Sequence, residues 1–149
     1  MWRDTSRASK ALLIGLHAVR DAAPGGAQMP RQPWALKILA EQLLCELPPN
    51  SQVGQAIRCL HDPKRGVTSL AIHRATEDLV SSNYLVGRGV GHDATWAISP
   101  GREAEVDAMV RGLSARELAA ARRAAYDAVA ISEAWSNTFR ASTPTKSAK

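Results

Sequence analysis

Aromatic residues are scarce in this chain of 149 residues, at 5% of the sequence, with a single phenylalanine. Sheet-rich cores draw on aromatic and β-branched side chains; the abundance of alanine here favours helix instead. Cysteine is nearly absent. Cys45 and Cys59 match no CxxC or Cys/His metal spacing, and a chain of this length can build a core without a disulfide. Both are expected to be reduced core residues, with a redox-sensing pair as the alternative. His61 lies two positions after Cys59, but two residues make no metal site.

Long apolar runs are missing too, and none approaches the ~18 residues that a membrane span requires. The opening MWRDTSRASK followed by ALLIGLHAV has the charged-then-apolar order of a targeting peptide. His17 interrupts that run, Arg20 and Asp21 follow at once, and no small-x-small cleavage site appears. Leu12, Leu13, Leu16, Val19 and Ala23 instead mark one face of an amphipathic helix. A cytoplasmic protein without membrane contact is the expectation. The serines, histidines and acids form no nucleophile signature. Gly87-x-Gly89-x-Gly91 follows a strand but opens no helix, so it lacks the setting of a dinucleotide-binding loop. No enzyme, cofactor or metal is expected.

What is present is a basic balance. The net charge is +5 and the pI about 9.7, which permits a polyanionic partner. The termini supply most of the surplus: residues 1–33 hold five basic and two acidic groups, and the last nine residues add two lysines. Residues 51–99 carry five basic against four acidic groups, and 100–140 six against six. A local basic run stands at 58–74, where Arg58, Lys64, Arg65 and Arg74 face only Asp62.

The patterning predicts a first helix over about 6–22, capped by Thr5 or Ser6. PGGAQMPRQP, at 24–33, reads as a linker or mobile loop. A second helix begins near Pro33, with Trp34, Ile38, Leu39, Gln42, Leu43 and Leu47 along one stripe, and Pro48-Pro49 ends it. A short third helix follows Asn50 or Ser51, burying Val53, Ile57 and Leu60. Pro63 stops it and Lys64-Arg65-Gly66 make a turn. A fourth helix over about 68–82 puts Val67, Ile72, Ala75 and Leu79 at core spacings, with Ser69, His73, Arg74 and Glu77 opposite. Asn83 suits a left-handed cap. Tyr84-Leu85-Val86 and Ala94–Ile98 read as strands around a glycine-rich tip. Pro100 opens a short helix that breaks at Gly112. Ser114 and Glu117 form a capping box for a last helix to about Arg140, whose 3-4 spaced face is Leu118, Ala121, Ala125, Ala128, Ser132, Trp135 and Phe139.

The order helix, turn, GVTSLAIHRATEDLVSSNYL, glycine-rich hairpin and closing AISPG at 51–99 resembles the winged helix-turn-helix domain of MarR-, PadR- and GntR-type bacterial regulators. The likeness covers about a third of the chain and is specific for architecture, not for one family. It implies a mostly α fold with a small β-hairpin wing, extended by helices at both ends. It implies double-stranded DNA as partner, with the 68–82 helix in the major groove. Thr68, Ser69, His73 and Arg74 would then lie near the groove, Arg74 suiting guanine O6 and N7, and Ser69 and Thr68 suiting phosphate. Lys64 and Arg65 would clamp the backbone, Arg88 would reach the minor groove or a phosphate from the wing, and Arg58 and His92 complete the set. For Arg74 the structural alternative is an i,i+4 pair with Asp78; for His73 and Arg88 it is a side chain that simply faces water. Glu77 and Asp78 count against the contact surface.

Such regulators pair through terminal helices. The resemblance therefore implies a homodimer held by Leu118, Ala121, Ala125, Ala128, Trp135 and Phe139 together with the first helix, reading a palindrome as a repressor. The alternative is that these helices close over one chain's own core. A cavity between them and the winged domain could hold a small-molecule effector, which no residue set specifies. The expected partition is an N-terminal helix and linker at 1–32, the winged domain at 33–99, C-terminal helices at 100–140 and a polar tail at 141–149. The competing function is a protein-interaction or assembly module of a phage, plasmid or chromosome-maintenance system, since a fold does not settle a function.

Overall fold

Helix α1 (Trp2–Ala22) is the element around which the others gather. The computed structural model describes residues 2–22, 29–30, 33–90 and 94–142, with side chains described over 7–21, 29–30, 34–90 and 94–134. Every residue of α1 from Ala11 to Val19 is buried. The helix is therefore sheathed all round rather than on one face, as its unbroken apolar run allows. It begins at Trp2, so Thr5 and Ser6 lie within its first turns and do not cap it.

Helix α2 (Pro33–Glu46) buries Ala35, Leu36, Leu39, Ala40 and Leu43, with Trp34, Ile38 and Gln42 half-buried at the margin. It approaches α1 at Gly15, where an added Cβ would meet Leu43 Cδ1 at 2.7 Å. Helix α3 (Gln52–Ile57) starts at Ser51, whose Oγ accepts the Gly54 N–H at 2.9 Å. A single 3-10 turn, Arg58–Leu60, completes it. Cys45 and Cys59, expected in the core, are both exposed. Each sits between the buried positions of its helix, beside Leu43 and Leu47 and beside Ile57 and Leu60.

A short hairpin follows, β1 (His61–Asp62) pairing antiparallel with β2 (Gly66–Val67). It leads into α4 (Ser69–Ser81). A second hairpin, β3 (Leu85–Arg88) and β4 (Thr95–Ile98), pairs Leu85 with Ile98 and Arg88 with Thr95. The expected linker is not loose throughout. Met29 is buried, its carbonyl accepts the Trp96 N–H at 3.0 Å, and Pro30 bridges Thr95, so these two residues line an edge of β4.

Pro100 opens a 3-10 turn into α5 (Glu103–Arg111). Helix α6 (Ala115–Ser142) starts on a capping box: Ser114 Oγ accepts the Glu117 N–H and Glu117 Oε1 accepts the Ser114 N–H, each at 3.1 Å. One contiguous apolar core draws on α1, α2, α3, α4, β3 and α6, so described residues on either side of positions 32 and 99 pack together. Among the described residues no helix is long and apolar enough to cross a membrane.

Candidate nucleic-acid interface

Helix α4 owes its orientation to one apolar stripe. Val67, Ile72, Ala75 and Leu79 are buried at the expected spacing, and the Ser9 hydroxyl of α1 reaches the Ala75 carbonyl at 3.4 Å. Both ends are fixed locally. Thr68, extended at φ −97° and ψ 154°, accepts the Ala71 N–H on its Oγ1 at 3.2 Å. At the far end Asn83 takes φ 64°. Tyr84 N–H bonds the Leu79 carbonyl at 2.8 Å and Asn83 N–H the Val80 carbonyl at 3.0 Å, the paired bonds of a left-handed helix cap. Ser69, Leu70, His73, Arg74 and Glu77 are left facing water.

The β1–β2 hairpin carries the cations that precede this face. Asp62 Oδ1 accepts the backbone N–H groups of Lys64, at 2.8 Å, and Arg65, at 3.1 Å. This is an Asx turn, and Gly66 closes it at φ 72°. The acid that dilutes the basic run is thus turned onto main-chain amides. Lys64 and Arg65 project from the tip into solvent.

The charged side chains of this surface pair little with one another. His73 Nε2 lies 3.2 Å from Glu77 Oε1, both side chains well exposed, an arrangement worth little to stability. The Arg74–Asp78 pair does not form. Among the described residues Arg58, Lys64, Arg65, Arg74 and Arg88 have no ion pair. Unpaired cations retain their full charge for an external anion.

The junction between α4 and β3 is buttressed by α5. The Tyr84 hydroxyl donates to Glu105, and Arg102 spans the group, bonding Glu105 Oε1 at 2.9 Å and the Ser82 carbonyl at 3.0 Å. The Arg102 guanidinium lies 4.6 Å from the Tyr84 ring centroid. The Glu105 carboxylate beside Tyr84 raises that phenol above its ordinary value, and burial adds to the effect. The same hydrogen bond, aided by Arg102, holds Glu105 below the usual carboxylate range.

The structure therefore brings Lys64, Arg65, Ser69, His73 and Arg74 onto one continuous stretch of hairpin and helix. Thr68 departs from expectation: it is half-buried and its oxygen caps α4. Arg58 is exposed on the turn before β1. Arg88, exposed at the end of β3, lines a cavity of about 160 Å³ with Arg20, Trp96 and Glu103, between the second hairpin and α1. His92 lies outside the described residues. Leu70 was missed by sequence reasoning, although its position off the 67, 72, 75, 79 stripe was available as a signal. The buttress had no local signal, since its partners lie 21 residues apart.

Over its described residues, the expected pairing face is covered within the chain. Ala121, Ala125 and Ala128 are fully buried and Leu118 is half-buried, with α6 packed on α1 and α2 of the same chain. Small side chains let these helices approach closely, and the approach is made internally. The side chains of Trp135 and Phe139 lie outside the described residues. Comparison with family models, with curated proteins and with solved structures finds no match for this chain.

Proposed function

We propose that this protein binds double-stranded DNA as a winged helix-turn-helix regulator, with α4 in the major groove. In this reading α3 and α4 are the two helices of the motif and β3–β4 is the wing. The observation that carries it is the run of cations without ion pairs that leads into the outward face of α4: Lys64, Arg65 and Arg74, with Asp62 turned onto backbone amides and Glu77 beside His73. Lys64 and Arg65 would neutralise phosphates as the hairpin crosses the backbone. Arg74, from the first two turns of α4, would present its planar fork to guanine O6 and N7. Arg58 and Arg88 would add backbone contacts on either side. Occupancy of a promoter is all that repression requires. The regulator would act as a homodimer, and since Ala121, Ala125 and Ala128 are buried within the chain, its stoichiometry on DNA is read by sedimentation.

The test is duplex binding by the full chain over a salt series, with sedimentation in the same buffers. About four phosphate contacts correspond to a fall in log affinity of ~3.6 per decade of salt. A steep loss supports the reading. Absence of binding to any duplex at low salt overturns it in favour of the interaction module, for which the exposed Leu70, Val80 and Val90 would be the apolar contacts.

A further inference from the structure

Leu70 is 57% exposed in the first turn of α4. The fold makes no use of its side chain there, because Val67 and Ile72 fill the core on either side. His73 and Arg74 lie three and four residues on, which puts all three on one helix face. The apolar group thus shares an exposed face with His73, Arg74 and, one turn further on, Glu77, which pairs with His73, and Lys64 and Arg65 lie on the hairpin just before it in the chain. A lone exposed leucine on an ordinary surface needs no explanation. This one occupies the N-terminal turn of the helix that would contact base edges.

A partner that fits must present anionic groups around its edge and a small apolar group at its centre. The major groove of a site containing A·T pairs has that layout: phosphates flank it, and the thymine C5-methyl is the apolar feature on its floor. We infer that Leu70 is a specificity-determining residue that selects thymine, by packing against its methyl group, beside the base that Arg74 reads. The inference rests on the DNA-binding reading and adds to it a preference for one base. Apolar contact with the methyl requires no hydrogen bond, so it discriminates thymine from uracil, which differs only in lacking that methyl.

The experiment begins with selection of preferred duplexes from a random pool by the full chain. Each thymine in the selected site is then replaced in turn by deoxyuridine. Wild type should lose about fourfold in affinity at one position per bound α4, the worth of one methyl group withdrawn from water. Leu70→Ala should bind thymine and uracil duplexes alike at that position while melting at the wild-type temperature. Leu70→Met, which keeps an apolar contact, should retain the discrimination. Wild type that is indifferent to uracil at every position overturns the inference, as does Leu70→Ala with undiminished discrimination; either result leaves DNA binding standing. Failure to bind any duplex at low salt overturns both.

Discussion

His17 Nε2 lies 2.8 Å from Asp107 Oδ1, and the Nδ1 of the same ring lies 3.4 Å from Asp21 Oδ2. The imidazole is buried while both carboxylates are partly exposed, so the contact ties the C-terminal part of α1 to α5 at the edge of the core. Arg20 joins it, 3.6 Å from Asp107 and 3.2 Å from Glu103.

This contact sets a direction for stability against pH. The hydrogen bond from His17 holds the Asp107 carboxyl below the usual range, and the positive charges of Arg20 and Arg111 act the same way. A carboxyl whose folded value is depressed binds its proton more readily in the unfolded chain. Its contribution is therefore complete above the ordinary Asp value of ~3.9 and is lost as pH falls through the lowered folded value. Asp107→Asn should unfold at lower urea than wild type near neutrality, and the two midpoints should converge on acidification below about pH 4. A gap that stays constant to the acid limit would show that Asp107 contributes by packing alone.

The α4–β3 buttress has its own spectroscopic handle. Glu105 raises the Tyr84 phenol, so the tyrosinate absorbance that differs between wild type and Tyr84→Phe should emerge above the ordinary tyrosine value of ~10. Glu105→Gln removes the acceptor charge and should move that component back down. An unshifted Tyr84 component in wild type would mean that the hydroxyl does not rest on Glu105 in solution.

Sequence made α4 legible because its determinants are local. The 67, 72, 75, 79 spacing and the left-handed Asn83 each act within a few turns, whereas Thr68 caps α4 instead of facing out as a phosphate contact. The Ser114–Glu117 box is local in the same way. The 61–67 hairpin was read as a plain turn because strands of two residues carry no periodicity; its signal was the Asp62 side chain, which acts through backbone amides. For the cysteines, residue type points inward but position decides: Cys45 lies off the Leu36, Leu39, Leu43 stripe of α2. The alanine face of α6 was visible as a face that must be covered. What covers it is decided by α1 and α2, about a hundred residues earlier in the chain, and spacing within α6 contains no information about that.

That internal cover can be separated from pairing by one substitution. Ala125 is fully buried in the α6 contact with α1 and α2. Ala125→Leu inserts three carbons where no space exists and should destabilise the fold by about 1–3 kcal/mol or more. Tyr126, its neighbour on the outer face, is 56% exposed, and Tyr126→Ala should change stability by no more than ~0.5 kcal/mol. Thermal melts over a range of protein concentrations decide the matter. A concentration-independent loss confined to Ala125→Leu marks an internal seam; a loss that vanishes on concentrating the protein would restore the face to a dimer.

The interface residues divide by what each would contact. Arg74 is exposed and unpaired, so Arg74→Ala should leave the melting temperature unchanged. If its fork meets a guanine, the variant loses about 1–3 kcal/mol on the preferred duplex and relaxes preference at that one base pair. Lys64, at the hairpin tip, would meet phosphate alone. Lys64→Ala should weaken every duplex alike and lower the salt slope by about one contact. Arg88 should behave as Lys64 does if the wing rests on the backbone. Its place beside Arg20 and Glu103 offers a contrasting outcome: an Arg88→Ala variant with altered stability and unaltered salt slope would assign that side chain to the cavity against α1. The three variants, titrated against preferred and scrambled duplexes at two salt concentrations, separate base reading from backbone contact. Identical behaviour of Arg74→Ala and Lys64→Ala on both duplexes would remove Arg74 from base recognition and leave α4 a purely electrostatic surface.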